Sequence, residues 1–125
     1  MLGTTLTVTL DGSGGTAKVL PLINQDNYSS EYFLDETTVQ WRATVRHSTD
    51  SVKAGTQDYE RHTVTFERYL KPTTTFPLGQ RSQIIFTLRH SKDDVASDVI
   101  DVSEAMSFYM VKAGAIAAKL LGYES

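Results

Sequence analysis

The chain contains no cysteine and only three prolines among its 125 residues. Without thiols there are neither disulfides nor thiolate metal sites, so stability beyond the core's must come from packing, ions or assembly. No apolar run approaches the roughly 20 residues needed to cross a bilayer, and no charged-then-apolar leader opens the sequence. These absences lead to the expectation of a soluble protein, made without secretion and with no membrane partner. Positive charge is also scarce: 12 lysines and arginines face 15 acidic residues, for a net charge of −3. Chains held to nucleic acid by bulk attraction are usually basic, so a polyanion would have to be met locally. No Gly-x-Ser-x-Gly or His-Glu-x-x-His places a nucleophile beside a base, and the expectation is that the protein is not an enzyme.

A length of 125 residues suits one domain, 1–125, and a composition 40% hydrophobic and 22% charged is that of a folded chain rather than a disordered one. Three runs of β-type residues organise it. In residues 38–48, Val39, Trp41, Ala43 and Val45 point one way and Gln40, Arg42, Thr44 and Arg46 the other, because successive strand side chains face opposite sides of a sheet. In residues 59–67, Val64 and Phe66 are apolar while Tyr59, Arg61, Thr63, Thr65 and Glu67 share the opposite face. In residues 83–90, Ile84, Phe86 and Leu88 oppose Gln83, Ile85, Thr87 and Arg89. Paired in register, these runs gather Arg42, Arg46, Arg61 and Arg89 on one side. With Glu67 that face carries +3, which leaves −6 for the rest of a chain whose total is −3.

Residues 2–10 alternate Leu6, Val8 and Leu10 against Thr5, Thr7 and Thr9, and read as a strand. The glycine-rich residues 11–15 make a turn, and residues 17–20 return until Pro21 ends the pairing or confines it to an edge. Residues 12–18 bear a superficial likeness to a phosphate loop, but they lack its Gly-Lys-Ser/Thr ending and precede a strand. A polar loop at 24–27 leads to a short strand at 31–35, and residues 49–57 form a surface connection. Lys71, Pro72, Phe76, Pro77, Leu78 and Gly79 fall in a connection, 71–80, longer than hairpins need, which marks a functional loop with two apolar side chains to cover. Helical spacing begins at Asp101-Val102-Ser103-Glu104, where a capping residue precedes Glu by three positions. It continues through Ala105, Met106, Tyr109 and Met110, and past Gly114 through Ile116, Ala117, Leu120 and Leu121. This is one helix broken near Gly114, or two short ones, ending at Gly122.

A five-stranded sheet at about 4.8 Å per strand is roughly 24 Å wide, whereas a helix covers a band of about 10 Å. So little helix leaves the apolar face of Trp41, Val45, Phe66, Ile84, Phe86 and Leu88 partly bare. The economical solution is an obligate two-fold homodimer in which each copy roofs the other's sheet with its helices. The competing arrangement folds the N-terminal hairpin back as the lid.

Three features have two readings each. His47, His62 and His90 fall on the apolar side of their strands near one end of the sheet, where they either hold zinc or are hydrogen-bonded boundary histidines. Asp93, Asp94, Asp98 and Asp101 either bind structural calcium, above all between subunits, or form a solvated loop with a helix cap. Tyr59, beside arginines on an open face, either stacks on RNA bases or packs on its cross-strand neighbours. The expectation is that no cofactor is required, with structural calcium as the possible addition.

The order of elements, together with Gly12-Ser13-Gly14-Gly15-Thr16-Ala17-Lys18-Val19, Ile23-Asn24-Gln25-Asp26, Val45-Arg46-His47, Tyr59-Glu60-Arg61-His62, Ser107-Phe108-Tyr109 and Gly122-Tyr123-Glu124-Ser125, resembles the coat proteins of the single-stranded RNA bacteriophages (leviviruses). The likeness is greatest to that of a Caulobacter RNA phage and spans nearly the whole chain. The resemblance implies an α+β fold: an N-terminal β-hairpin (2–22), a five-stranded antiparallel sheet (29–92) and two C-terminal helices (101–122) interlocked with a dimer partner. It implies homodimers that build an icosahedral virion shell in the bacterial host cytoplasm, with the polar sheet face toward genomic RNA. It further implies that the free dimer represses replicase translation by binding an RNA hairpin. By position, the RNA-contacting set is Gln40, Arg42, Thr44, Arg46, Arg61, Thr63, Thr65, Gln83, Ile85 and Thr87, to which the alternation of the strands adds Tyr59 and Arg89. Residues 71–80 correspond to the family's loop around the five-fold and quasi-six-fold axes. Arginine or threonine stands here where relatives often carry lysine, and no cysteine can cross-link the axial loops. The rival expectations are a structural protein forming tubes or rings without RNA, and a dimeric RNA-binding repressor that does not assemble.

Overall fold

The computed structural model describes residues 3–10, 15–50, 58–110 and 116–123, and the side chain of residue 50 is left aside. Six strands, β1 (Thr5–Thr9), β2 (Ala17–Gln25), β3 (Ser29–Asp35), β4 (Val39–Asp50), β5 (Tyr59–Leu70) and β6 (Gln80–Ser91), precede two helices, α1 (Ala96–Met110) and α2 (Ile116–Leu121). The strands form one antiparallel sheet in the order β1-β2-β3-β4-β5-β6. The antiparallel sheet followed by two helices is the expected architecture; residues 29–92 supply four strands rather than five, and the hairpin joins them as the first two of six. The glycine turn at 11–14, most of the connection at 49–57 and the expected break near Gly114 lie outside the described residues.

Pro21 does not end β2. Leu22 donates its N–H to Thr4 across the hairpin, so the neighbouring position, where proline lacks a donor, points away from β1. The strand therefore passes through Pro21 unbroken and changes partner there, from β1 to β3, with a bulge between Leu22 and Asn24. This extends it to Gln25, where a loop was expected.

That change of partner lets the hairpin lie over one end of the apolar face. The buried core is Leu20, Tyr32, Trp41, Ala43 and Val45, flanked by Leu6, Leu10, Leu22, Leu34, Val39, Val64 and Phe66. Trp41 stacks on Phe66 at 5.8 Å between ring centroids. Lys18 of the hairpin sits 5.6 Å from the Trp41 ring and 3.0 Å from Glu36 Oε1, and the Trp41 indole N–H donates to the same carboxylate. Tyr32 Oη closes the other side by donating to the Gly3 carbonyl at 2.9 Å. The lid arrangement is thus correct for β3 and β4 but stops short of β6, where Ile84 and Phe86 remain 68% and 40% exposed.

The helices do not make good the deficit. Neither contains a buried residue, and Val102, Met106, Phe108, Tyr109 and Leu121 are all exposed. The start of α1 corrects the expectation at Asp101. Val99 donates to the Val95 carbonyl and the Asp94 carboxylate accepts the Val95 N–H at 2.8 Å, so the helix begins five residues earlier than its sequence signal. Asp98 then lies in the first turn, where a negative charge complements the helix dipole, and Asp101 lies within the helix.

Candidate nucleic-acid interface

Cross-strand register settles which side chains share a face. Arg42 pairs with Glu67 and Glu67 with Gln83; Thr44 pairs with Thr65 and Thr65 with Ile85; Arg46 pairs with Thr63 and Thr63 with Thr87. The next row is Ser48, Arg61 and Arg89, and Tyr59 lies one row beyond. Gln40 lies at the other end, opposite Tyr69, which pairs with Arg81. All twelve residues expected to meet RNA therefore stand on one face of three adjacent strands.

The face is wider than the sequence suggested. Strands β5 and β6 run three residues beyond the expected 59–67 and 83–90, which adds Tyr69 and Arg81. Both continue the period of two already used for their strands, so the signal was present and only the boundaries were short. Register also brings in Glu31 and Phe33 of β3, opposite Thr44 and Arg42. It brings in Asp35 as well, opposite Gln40, so that five arginines are set against Glu31, Asp35 and Glu67 and the surplus falls to two positive charges.

The arginines are held, not splayed. Arg42 is ion-paired with Glu31 and lies 5.0 Å from the Phe33 ring; Arg81 meets Glu67 at 3.1 Å and the Tyr69 ring at 5.1 Å. Arg89 covers Tyr59 at 4.2 Å, so one face of that ring already carries a guanidinium. Between the rows a hollow of about 520 Å³ is lined by Arg42, Arg46 and Arg61 with Thr44, Thr63 and Thr65. The guanidinium forks and hydroxyls that line it match the donors that phosphates and unpaired bases accept.

The reverse of the same strands carries a histidine cluster. His47 Nδ1 and His62 Nδ1 are 2.7 Å apart, His62 Nε2 and His90 Nε2 are 3.1 Å apart, and His90 Nδ1 lies 2.9 Å from the Ser91 carbonyl. A carbonyl only accepts, so His90 carries its proton on Nδ1. In the neutral tautomer this makes its Nε2 an acceptor, His62 Nε2 a donor and His62 Nδ1 an acceptor for His47, a directed chain. Desolvation, then the neighbouring His47 and His90, hold the His62 imidazole below its usual value of 6.5 against the opposing pull of Glu60.

The family model described as "Phage phiCb5, coat protein" matches residues 3–99, from the first described residue through all six strands into α1. The chain belongs to the phage phiCb5 coat protein family. Among solved structures, this coat protein is similar to the virus-like particle of Beihai levi-like virus 21, at 9% identity over 98% of this chain and 95% of that one, with a TM-score of 0.71. It is also similar to the Bacteriophage EMS014 coat protein, at 18% identity over 84% of this chain and 71% of that one, with a TM-score of 0.65. No curated protein matches the sequence. At such identities the likeness is one of fold, and it includes the C-terminal helices that the family model leaves mostly unmatched.

Two other expected sites of the coat protein can now be placed. In the β5–β6 loop, Thr73 and Gly79 donate their N–H groups to the Phe76 carbonyl, each at 3.0 Å, and Lys71 is anchored to Asp35 at 2.9 Å. Gly79 has φ +76°, and Leu78 beside it is 90% exposed. Asp93 and Asp94 sit in the turn before α1 and Asp98 and Asp101 within it. Among the described residues these aspartates do not form a ligand group; the acidic and histidine atoms that do converge, within 4.8 Å, belong to Glu60, His62 and His90.

Proposed function

We propose that this coat protein forms two-fold homodimers that assemble into an icosahedral virion shell in the bacterial host cytoplasm, with single-stranded genomic RNA against the arginine face. The observation that carries this reading is the two-sidedness of one sheet: arginines and threonines on one side, an incompletely roofed apolar surface on the other. Two exposed apolar surfaces in one chain, Ile84 with Phe86 and the helices α1 and α2, are complementary in kind. Exchanging them between two copies satisfies both with one symmetry operation. The free dimer binds an RNA hairpin on the same arginine face and so represses replicase translation, and calcium held by Asp93, Asp94, Asp98 and Asp101 from adjoining copies stiffens the shell.

Expression of the chain alone, followed by electron microscopy and an ultraviolet absorbance ratio, tests this directly. Closed spheres that absorb as nucleoprotein are expected. Tubes or rings without nucleic acid, or a dimer that stays a dimer at high concentration, would overturn it.

A further inference from the structure

On the side of the sheet away from the arginines, Glu60 and His90 are cross-strand partners, and His62 stands two residues along β5 on the same face as Glu60. Glu60 Oε2 lies 3.6 Å from His90 Nε2 and 3.9 Å from His62 Nε2, and the two Nε2 atoms are 3.1 Å apart. The circle through these three atoms has a radius of about 2.1 Å, the length of a zinc–nitrogen or zinc–carboxylate bond. Tetrahedral ligands at that bond length are about 3.4 Å from one another, close to the mean of the three separations. We propose that Glu60, His62 and His90 form a three-ligand site for a divalent transition metal of the zinc class, with the fourth position open to solvent.

The surroundings supply what such ligands need. A metal-bound imidazole presents one nitrogen to the ion and donates the other N–H to a fixed acceptor. His90 does this already, with Nδ1 donating to the Ser91 carbonyl and Nε2 bearing the lone pair. His62 and His47 complete the pattern by shifting tautomer together: His62 Nε2 releases its proton to solvent and becomes a ligand, His47 Nδ1 passes its proton across the 2.7 Å contact to His62 Nδ1, and His47 takes one from solvent at Nε2. His47 is a positioning residue, since it reaches the nitrogen of His62 that faces away from the ion. This differs from the arrangement expected from sequence, in which three imidazoles share the metal. Glu60 supplies the hard oxygen and one negative charge to a dication that two neutral imidazoles leave uncompensated. All three ligands are only partly buried, and a hollow of about 430 Å³ beside Glu60, His62 and His47 gives the ion and its water a way in. Two imidazole nitrogens among the three donors separate this site from the all-oxygen chemistry that calcium prefers.

Cobalt(II) titration of chelator-stripped particles and of dimers tests the assignment. One equivalent per chain is expected to give the intense visible absorption of four-coordinate cobalt, and zinc is expected to displace it. His62→Ala or His90→Ala should weaken binding about 100-fold or more and His47→Ala about tenfold, while Glu104→Gln, an exposed carboxylate of α1, leaves it unchanged. Zinc should also protect His62 and His90 of the unaltered protein from carbethoxylation, read by peptide mass, a measurement that needs no variant to fold. Absence of saturable binding below about 100 μM, equal binding by the histidine variants, or modification indifferent to zinc would each overturn the site.

Discussion

Ile84 and Ile85 are consecutive residues on opposite faces of β6, and in one chain they are almost equally bare, at 68% and 60% exposure. Replacing either by alanine removes three carbon groups, each contributing about 0.8 kcal/mol when buried. If a second copy covers the apolar face, Ile84→Ala loses that contribution over the share now exposed, about 1.6 kcal/mol per subunit. A two-fold interface counts the loss twice, so the dimer should weaken by about 3 kcal/mol, or roughly 100- to 300-fold in dissociation constant. Ile85→Ala faces the RNA side and should change that constant less than threefold, although the residue, the substitution and the exposure are nearly the same. Sedimentation equilibrium of RNA-free dimers across the micromolar range distinguishes the two. Equal effects of the two substitutions would refute closure of the dimer over the reverse of the sheet.

Reversing charge with Arg46→Glu and Arg61→Glu should lower the RNA content of particles and leave dimers intact; with four fewer guanidinium–phosphate pairs per dimer, the dependence of log affinity on log salt should flatten by about 3. Gly79→Ala should cost about 2–4 kcal/mol in chemical unfolding, since an added Cβ at φ +76° would lie 2.5 Å from the Leu70 carbonyl oxygen. A loss below half a kilocalorie would show that the loop yields. The Glu36 carboxyl is held below its ordinary value of 4.5 first by the hydrogen bond from Lys18 and then by that from Trp41. A depressed value contributes stability above pH 4.5 that disappears as the pH falls through the folded-state value, so the gap between the parent and Glu36→Gln should close between about pH 6 and acid unfolding. Stripping calcium should lower the melting temperature of assembled shells and restoring it should reverse the loss; melting indifferent to chelator would rule the aspartates out as shell ligands.

The long strands are legible in the sequence because each has one side of arginine and threonine and one of tryptophan, valine and phenylalanine, a pattern that survives only in a two-faced sheet. What alternation cannot convey is what lies across the apolar side. Leu6, Leu10, Leu20 and Leu22 show the period of an ordinary hairpin, and only the change of partner at Pro21 brings them over Trp41. The start of α1 differs from expectation because Asp94 and Asp101 both precede helical periods, and local sequence does not say which caps. Glu60 has the look of an ordinary polar strand residue, although the parity that places His62 and His90 together places it beside them.

Every strand lies beside the one before it in sequence, and no connection has to leap across the sheet. Such nearest-neighbour wiring closes only short loops, so little entropy separates the nascent chain from its finished sheet. Translation delivers α1 and α2 after the six strands, when that sheet can already have formed on the ribosome. If the copies pair as proposed, finding a mate is then a distinct, concentration-governed event, and shell building waits on how many finished copies have accumulated.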